Sequence, residues 1–136
     1  MSGTYTSFNA ILNQLFNNVT LTQPSNYYLG LSSTTPTITG TGDTEPSGLG
    51  YARVALSSST GFTTSTLGTL TNNVTATFPE STGSWGTLTH LILYSASSGG
   101  SIWFFEALSP SITVESNTTV YFSNSPAGIT VSMTNS

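Results

Sequence analysis

Seven side chains hold nearly all the charge and acid–base chemistry that this 136-residue sequence offers: Arg53, His90, Asp43, Glu45, Glu80, Glu106 and Glu115. Serines are abundant, but a serine becomes a nucleophile only with a base in hydrogen-bond reach and a third group to orient it. His90 is the only histidine and Asp43 the only aspartate, and no Gly-x-Ser-x-Gly elbow occurs; TGSWGT at 82–87 does not fit one. His90 sits in LTHLILY, in phase with Leu88, Ile92 and Tyr94, which is the setting of a packed strand histidine. Among the carboxylates only Asp43 and Glu45 are neighbours, in GDTEP. Such oxygens suit calcium, yet two are too few for a tight site and the EF-hand spacing is missing. GTGDTEPSGLG lacks the Gly-Lys-Ser/Thr ending of a phosphate loop. Without cysteine there is no disulfide, thiolate nucleophile or thiolate metal site. The expectation is no catalytic residue, no metal and no cofactor.

Arg53 is the remaining singularity, the one cation of a chain with no lysine. It lies in YARVAL, alternating with Ala52 and Val54. A buried guanidinium needs a carboxylate and further acceptors, because desolvating it unpaired costs several kcal/mol. Two partners offer themselves: Glu45, in the loop just before, and Glu106, in the apolar strand FFEAL. Either pairing predicts a structural ion pair, with Arg53 tying the long loop to the sheet. A surface arginine on an edge strand is the alternative.

The composition explains why so little charge is left. Serine and threonine number forty-nine, while Asp, Glu, Lys and Arg make up 4 % of the chain, against roughly 25 % in an ordinary domain. Fifteen aromatics and many β-branched residues argue against disorder. A net charge of −4 with one arginine excludes phosphate recognition and disfavours anionic membranes, so neither nucleic acid nor membrane is an expected partner. No apolar run approaches the ~20 residues of a spanning helix. Proteins that stay apart use interspersed charge to blunt sheet edges and patches. A chain without it suits a large assembly in which neighbours cover those surfaces.

The elements that must position these residues are mostly strands. One helix is predicted over 7–18, because Phe8, Ile11, Leu12, Leu15 and Phe16 follow the i, i+3, i+4, i+7, i+8 pattern of a single face. Ser7 is its expected cap and Asn17-Asn18 its stop. That stripe is expected to pack on the domain's own sheet, with a neighbouring subunit as the other way to bury it. Beyond it the period falls to two: strands at 27–31, 51–56, 66–70, 74–78, 87–94, 102–108, 112–114, 120–122 and 129–133, with a long exposed Gly/Thr/Pro loop over 32–50. THLILY and SIWFFEAL, joined by SASSGG, read as a central hairpin. One antiparallel β-sandwich domain of jelly-roll type with a short N-terminal helix accounts for this pattern.

Taken in order, NYYLGLSSTTPT, SGLGYARV, FPESTGSWGTLTH and the Gly-Gly hairpin before SIWFFEAL resemble a widespread family of small bacteriophage virion proteins. Its members are labelled tail fibre proteins and in some phages are head decoration proteins. The resemblance covers nearly the whole chain and implies a virion structural role without catalysis. Since no receptor-recognition domain is appended, the expected role is capsid decoration. By analogy with other decoration proteins the chain would be a homotrimer cementing the major capsid protein. The alternative is a tail-associated adhesin that works with other tail or fibre proteins and binds host glycans through Tyr27, Tyr28 or Trp85. Expected assembly contacts are the helix stripe (Phe8, Ile11, Leu12, Leu15, Phe16) and the loop carboxylates Asp43 and Glu45.

Overall fold

The structure, a computed structural model, describes residues 1–124 and 129–132. Its elements are β1 (Ser2–Gly3), α1 (Tyr5–Phe16), β2 (Asn26–Ser32), β3 (Val54–Ser57), β4 (Thr69–Thr71), β5 (Ala76–Thr77), β6 (Gly86–Tyr94), β7 (Ile102–Val114), β8 (Tyr121–Phe122) and β9 (Thr130–Ser132). A five-stranded antiparallel sheet runs in the order β1-β7-β6-β2-β3, and β4-β9 and β5-β8 form two short ladders. The fold is all-β with one short helix. Its layers are unequal, a five-stranded sheet set against the small ladders.

Alternation along the strands explains this layering. Leu29 and Leu31 of β2, Leu56 of β3 and Leu91 and Leu93 of β6 project to one face and meet Ala76, Phe78, Val120 and Ile129 from the ladders and their flanks. The opposite face carries Ile92, Tyr94 and Ile102, packed with Tyr28 and Phe105. Tyr27 and Tyr28 are adjacent in β2 and therefore belong to opposite faces.

Four sequence expectations move. The helix starts two residues early and is capped by Thr4, not Ser7. Thr4 is held by tertiary bonds: its hydroxyl donates to the Ile102 carbonyl at 2.6 Å and its N–H to Trp103 O at 3.1 Å. Ser7 instead accepts the Thr4 N–H through its hydroxyl at 3.1 Å, from inside the first turn. The strand predicted from Tyr51 begins only at Val54, because pairing with β2 ends at Leu29↔Val54. The segments 102–108 and 112–114 form one strand, β7, whose outer edge beyond Phe105 has no partner among the described residues. Finally, β6 is the central strand, while Trp103, Phe104 and Phe105 of β7 lie one strand from the edge and are half-buried. The predicted strand at 129–133 is seen as β9; Met133 lies outside the described residues.

Candidate functional site

Where β3 leaves β2, the next backbone donor of β2 needs another partner. The Tyr51 hydroxyl supplies it, accepting the Leu31 N–H at 2.9 Å and donating its own proton to Glu45 Oε1 at 2.7 Å. Arg53 completes the arrangement. Its Nε and Nη2 donate to the two Glu45 oxygens at 2.9 and 2.6 Å, a bidentate fork. Nη1 donates to the carbonyls of Ala96 and Gly99 at 2.7 and 2.8 Å, in the turn between β6 and β7. The guanidinium lies over the Tyr94 ring, 3.3 Å from its centroid, and the Tyr94 hydroxyl donates to Asp43 Oδ2 at 2.5 Å. One cation thus ties three segments together: the long loop, the run into β3 and the β6–β7 turn.

This network is largely withdrawn from water. The Arg53 side chain is 6 % exposed and that of Glu45 21 %. Burial pushes the Tyr94 and Tyr51 phenols far above their ordinary range, and the carboxylates bonded to them push the same way. For Arg53, burial works against the charge, but the Glu45 bonds and charge, with smaller contributions from Tyr94 and Tyr51, raise its pKa overall. Gly30 explains the Tyr-Leu-Gly-Leu pattern of β2. A Cβ there would stand 2.6 Å from the Tyr94 ring, 2.8 Å from Glu45 Oε1 and 3.0 Å from the Tyr51 hydroxyl.

The second feature is apolar. A groove of about 500 Å³ opens beside α1, walled by Ile11, Leu21, Tyr27, Phe62, Trp103 and Phe104. Its floor depends on a bulge: Leu93 faces Phe104 and Tyr94 faces Ile102, so Trp103 is an extra residue. Trp103 meets Tyr27 edge-on at 5.7 Å, and Tyr27 meets Phe62 in the same manner at 6.3 Å. Trp103 Nε1 is the only buried side-chain polar atom without a partner among the described residues.

The residues singled out by sequence are placed as follows. Arg53 pairs with Glu45; Glu106 instead faces the Met1 amino group at 3.6 Å. Asp43 and Glu45, expected as assembly contacts, are half-buried and turned inward to Tyr94 and Arg53. Only the first part of the helix stripe packs on the domain's own sheet. Phe8 and Ile11 are half-buried, but Leu12, Leu15 and Phe16 are 53, 66 and 81 % exposed, because α1 is fastened by its first turn and reaches only β1 and β7. Of the three aromatics named as glycan contacts, Tyr27 and Tyr28 are half-buried. Trp85 is buried, its Nε1 donating to Leu49 O at 2.8 Å and its ring set edge-on to Tyr51, while Tyr27 and Tyr28 lie on opposite faces. His90 is half-buried, with Nδ1 2.9 Å from Thr89 Oγ1. Sequence reasoning missed Tyr94, Tyr51 and Trp103; the hydroxyl at the end of the apolar run LILY was the available signal for Tyr94.

The fold is thus an all-β module whose one arginine is engaged in internal ties and whose helix end leaves apolar side chains exposed. The chain belongs to the family described as Podophage GP4 fiber I protein gp80, whose sequence profile matches residues 2–130. It is therefore a phage virion protein of a fibre family. No curated protein matches the sequence.

Proposed function

We propose that the chain is a non-enzymatic building block of a tail fibre, a stiff β-module that works by packing against neighbours. The observation that carries this reading is the family match along nearly the whole chain, because that family is described as a fibre protein. The engagement of the charged side chains supports the non-catalytic part. Arg53, Glu45 and Asp43 are engaged with one another or with tyrosines, and Glu106 faces the Met1 amino group. Groups so occupied hold a loop in place; none is poised to transfer a proton to a substrate. The capsid-decoration reading gains nothing from the family's description. Cryo-electron microscopy of virions, with antibody labelling of this chain, tests the assignment. Label and density of this size on the tail are expected; label confined to the head would replace the fibre reading with a decoration role.

A further inference from the structure

The chain contains one peptide bond that a protease selective for cationic side chains can cut, Arg53–Val54, because Arg53 is its only arginine and lysine is absent. The backbone around that bond is open to approach. Residues 51–53 belong to no strand, and Ser47, Gly48, Leu49, Gly50 and Ala52 are exposed. On the other side Val54 opens β3, a four-residue edge strand whose ladder ends at the Leu29↔Val54 pair. The end of a short edge strand opens locally, without the rest of the sheet. The Arg53 side chain is held in the opposite way. Only 6 % exposed, it gives four hydrogen bonds, two to Glu45 and one each to the Ala96 and Gly99 carbonyls, and it lies over the Tyr94 ring.

We infer that Arg53–Val54 is a latent cleavage site for serine proteases of the trypsin class, closed by the chain's own carboxylate and cut only when residues 51–53 lift from the sheet. Such a protease holds the cation in a pocket that carries a carboxylate. Glu45, the two carbonyls and the Tyr94 ring already supply an equivalent pocket, and the guanidinium cannot occupy both. Lifting also takes the Tyr51 hydroxyl from the Leu31 N–H, while Leu49 stays anchored by its carbonyl to the Thr82 N–H and Trp85 Nε1. The required opening is therefore local. Hydrolysis adds water across the bond, leaving a carboxylate on Arg53 and an amine on Val54. The pieces, 1–53 and 54–136, stay joined, since the β1–β7, β2–β6 and β2–β3 ladders all run between them. Cutting thus parts the long loop from β3 without dismantling the sheet. This goes beyond the building-block reading and does not depend on where in the virion the chain sits.

Digestion of the full chain by trypsin, with mass spectrometry of the fragments, tests this. The folded wild type should be cut on the order of a hundredfold more slowly than the same chain unfolded in urea. Arg53→Lys keeps a cleavable cation but loses the fork. It should be cut about tenfold faster than wild type when folded, and at a similar rate when unfolded. Glu45→Gln should speed cutting at the unchanged Arg53 to a like degree, and so serves if Arg53→Lys fails to fold. Asn72→Ala removes a buried amide bonded to the Val74 and Ser123 carbonyls and the Ile129 N–H, away from the loop. It should lower the melting temperature yet leave the cutting rate within about twofold of wild type. A folded wild type cut as fast as the unfolded chain would overturn the latent site. So would Arg53→Lys and Glu45→Gln variants as resistant as wild type. Faster cutting of Asn72→Ala, equal to that of Glu45→Gln, would mean that only global unfolding exposes the bond, and would equally defeat the proposal. On size exclusion the nicked Glu45→Gln chain should elute with the intact one; separate fragments in native buffer would contradict the joined domain.

Discussion

Tyr27 and Tyr28 stand side by side in β2 and open onto two differently built regions. On the Tyr28 face, Tyr94 meets Asp43 and Arg53, and the network runs through Glu45 and Tyr51 to the Leu31 amide. On the Tyr27 face, the groove is walled by rings and aliphatic chains and keeps one N–H without a partner. The difference follows from what each region must hold. A loop rich in Gly, Thr and Pro has too little apolar surface to anchor itself, so directional bonds to a buried cation fix it. A helix with an apolar stripe needs area, and its own sheet offers too little. Directional bonds saturate the first region, while the second keeps exposed apolar surface at Leu12, Leu15 and Phe16.

The largest effect should come from breaking the saturated side. Arg53→Ala leaves Glu45 buried without its partner and should cost about 3–5 kcal/mol, lowering the melting temperature by on the order of 10 °C. Arg53→Lys should recover less than half, since an ammonium cannot form the bidentate fork or lie flat on Tyr94. A melting curve unchanged by Arg53→Ala would show that the network holds nothing. Next comes Gly30→Ala, whose methyl group would collide with Tyr94, Glu45 and the Tyr51 hydroxyl. A loss of about 1–3 kcal/mol is expected in denaturant titration.

Alkaline pH probes the same side more gently. The Tyr94 and Tyr51 phenols are raised in the folded chain relative to their unfolded value of about 10, so their contribution is intact below that pH. It is lost as pH climbs from there toward the folded values. The melting temperature should therefore fall above about pH 10, and Tyr94→Phe should flatten that fall. Tyrosinate absorbance from Tyr94 should appear only with unfolding.

The open side should respond least when the chain is monomeric. Leu67→Asn should stabilise the monomer by about 1 kcal/mol by relieving the left-handed leucine. Leu12→Gln, on an exposed helix position, should change monomer stability by no more than about 0.5 kcal/mol in the same titration. A large loss from Leu12→Gln would mean that the stripe already packs within one chain.

How legible these regions were differs for physical reasons. The stripe from Phe8 to Phe16 and the alternation in NYYLGL and THLILY show in local pattern, and α1, β2 and β6 appear where that pattern lies. The helix cap does not, because Thr4 is chosen by Ile102, ninety-eight residues away. Glu45 and Glu106 were equal candidates for Arg53 on sequence. The choice is made by the β6–β7 register, which sets Glu106 opposite Leu91, on the face away from Tyr94. Trp85, read as a candidate glycan contact, is buried, and the Gly48-Leu49-Gly50 turn, with all three φ positive, offers it the Leu49 carbonyl. No periodicity announces whether an apolar stripe is answered inside the chain, since that depends on where the sheet ends.

Hydrogen exchange of the wild-type chain and of Arg53→Ala, read peptide by peptide, tests the division between the two regions most directly. Protection should fall in residues 33–53 and 94–99 when Arg53→Ala replaces the wild type and stay constant in 5–21. Equal loss of protection along the helix and in the Arg53–Glu45 loop would contradict it.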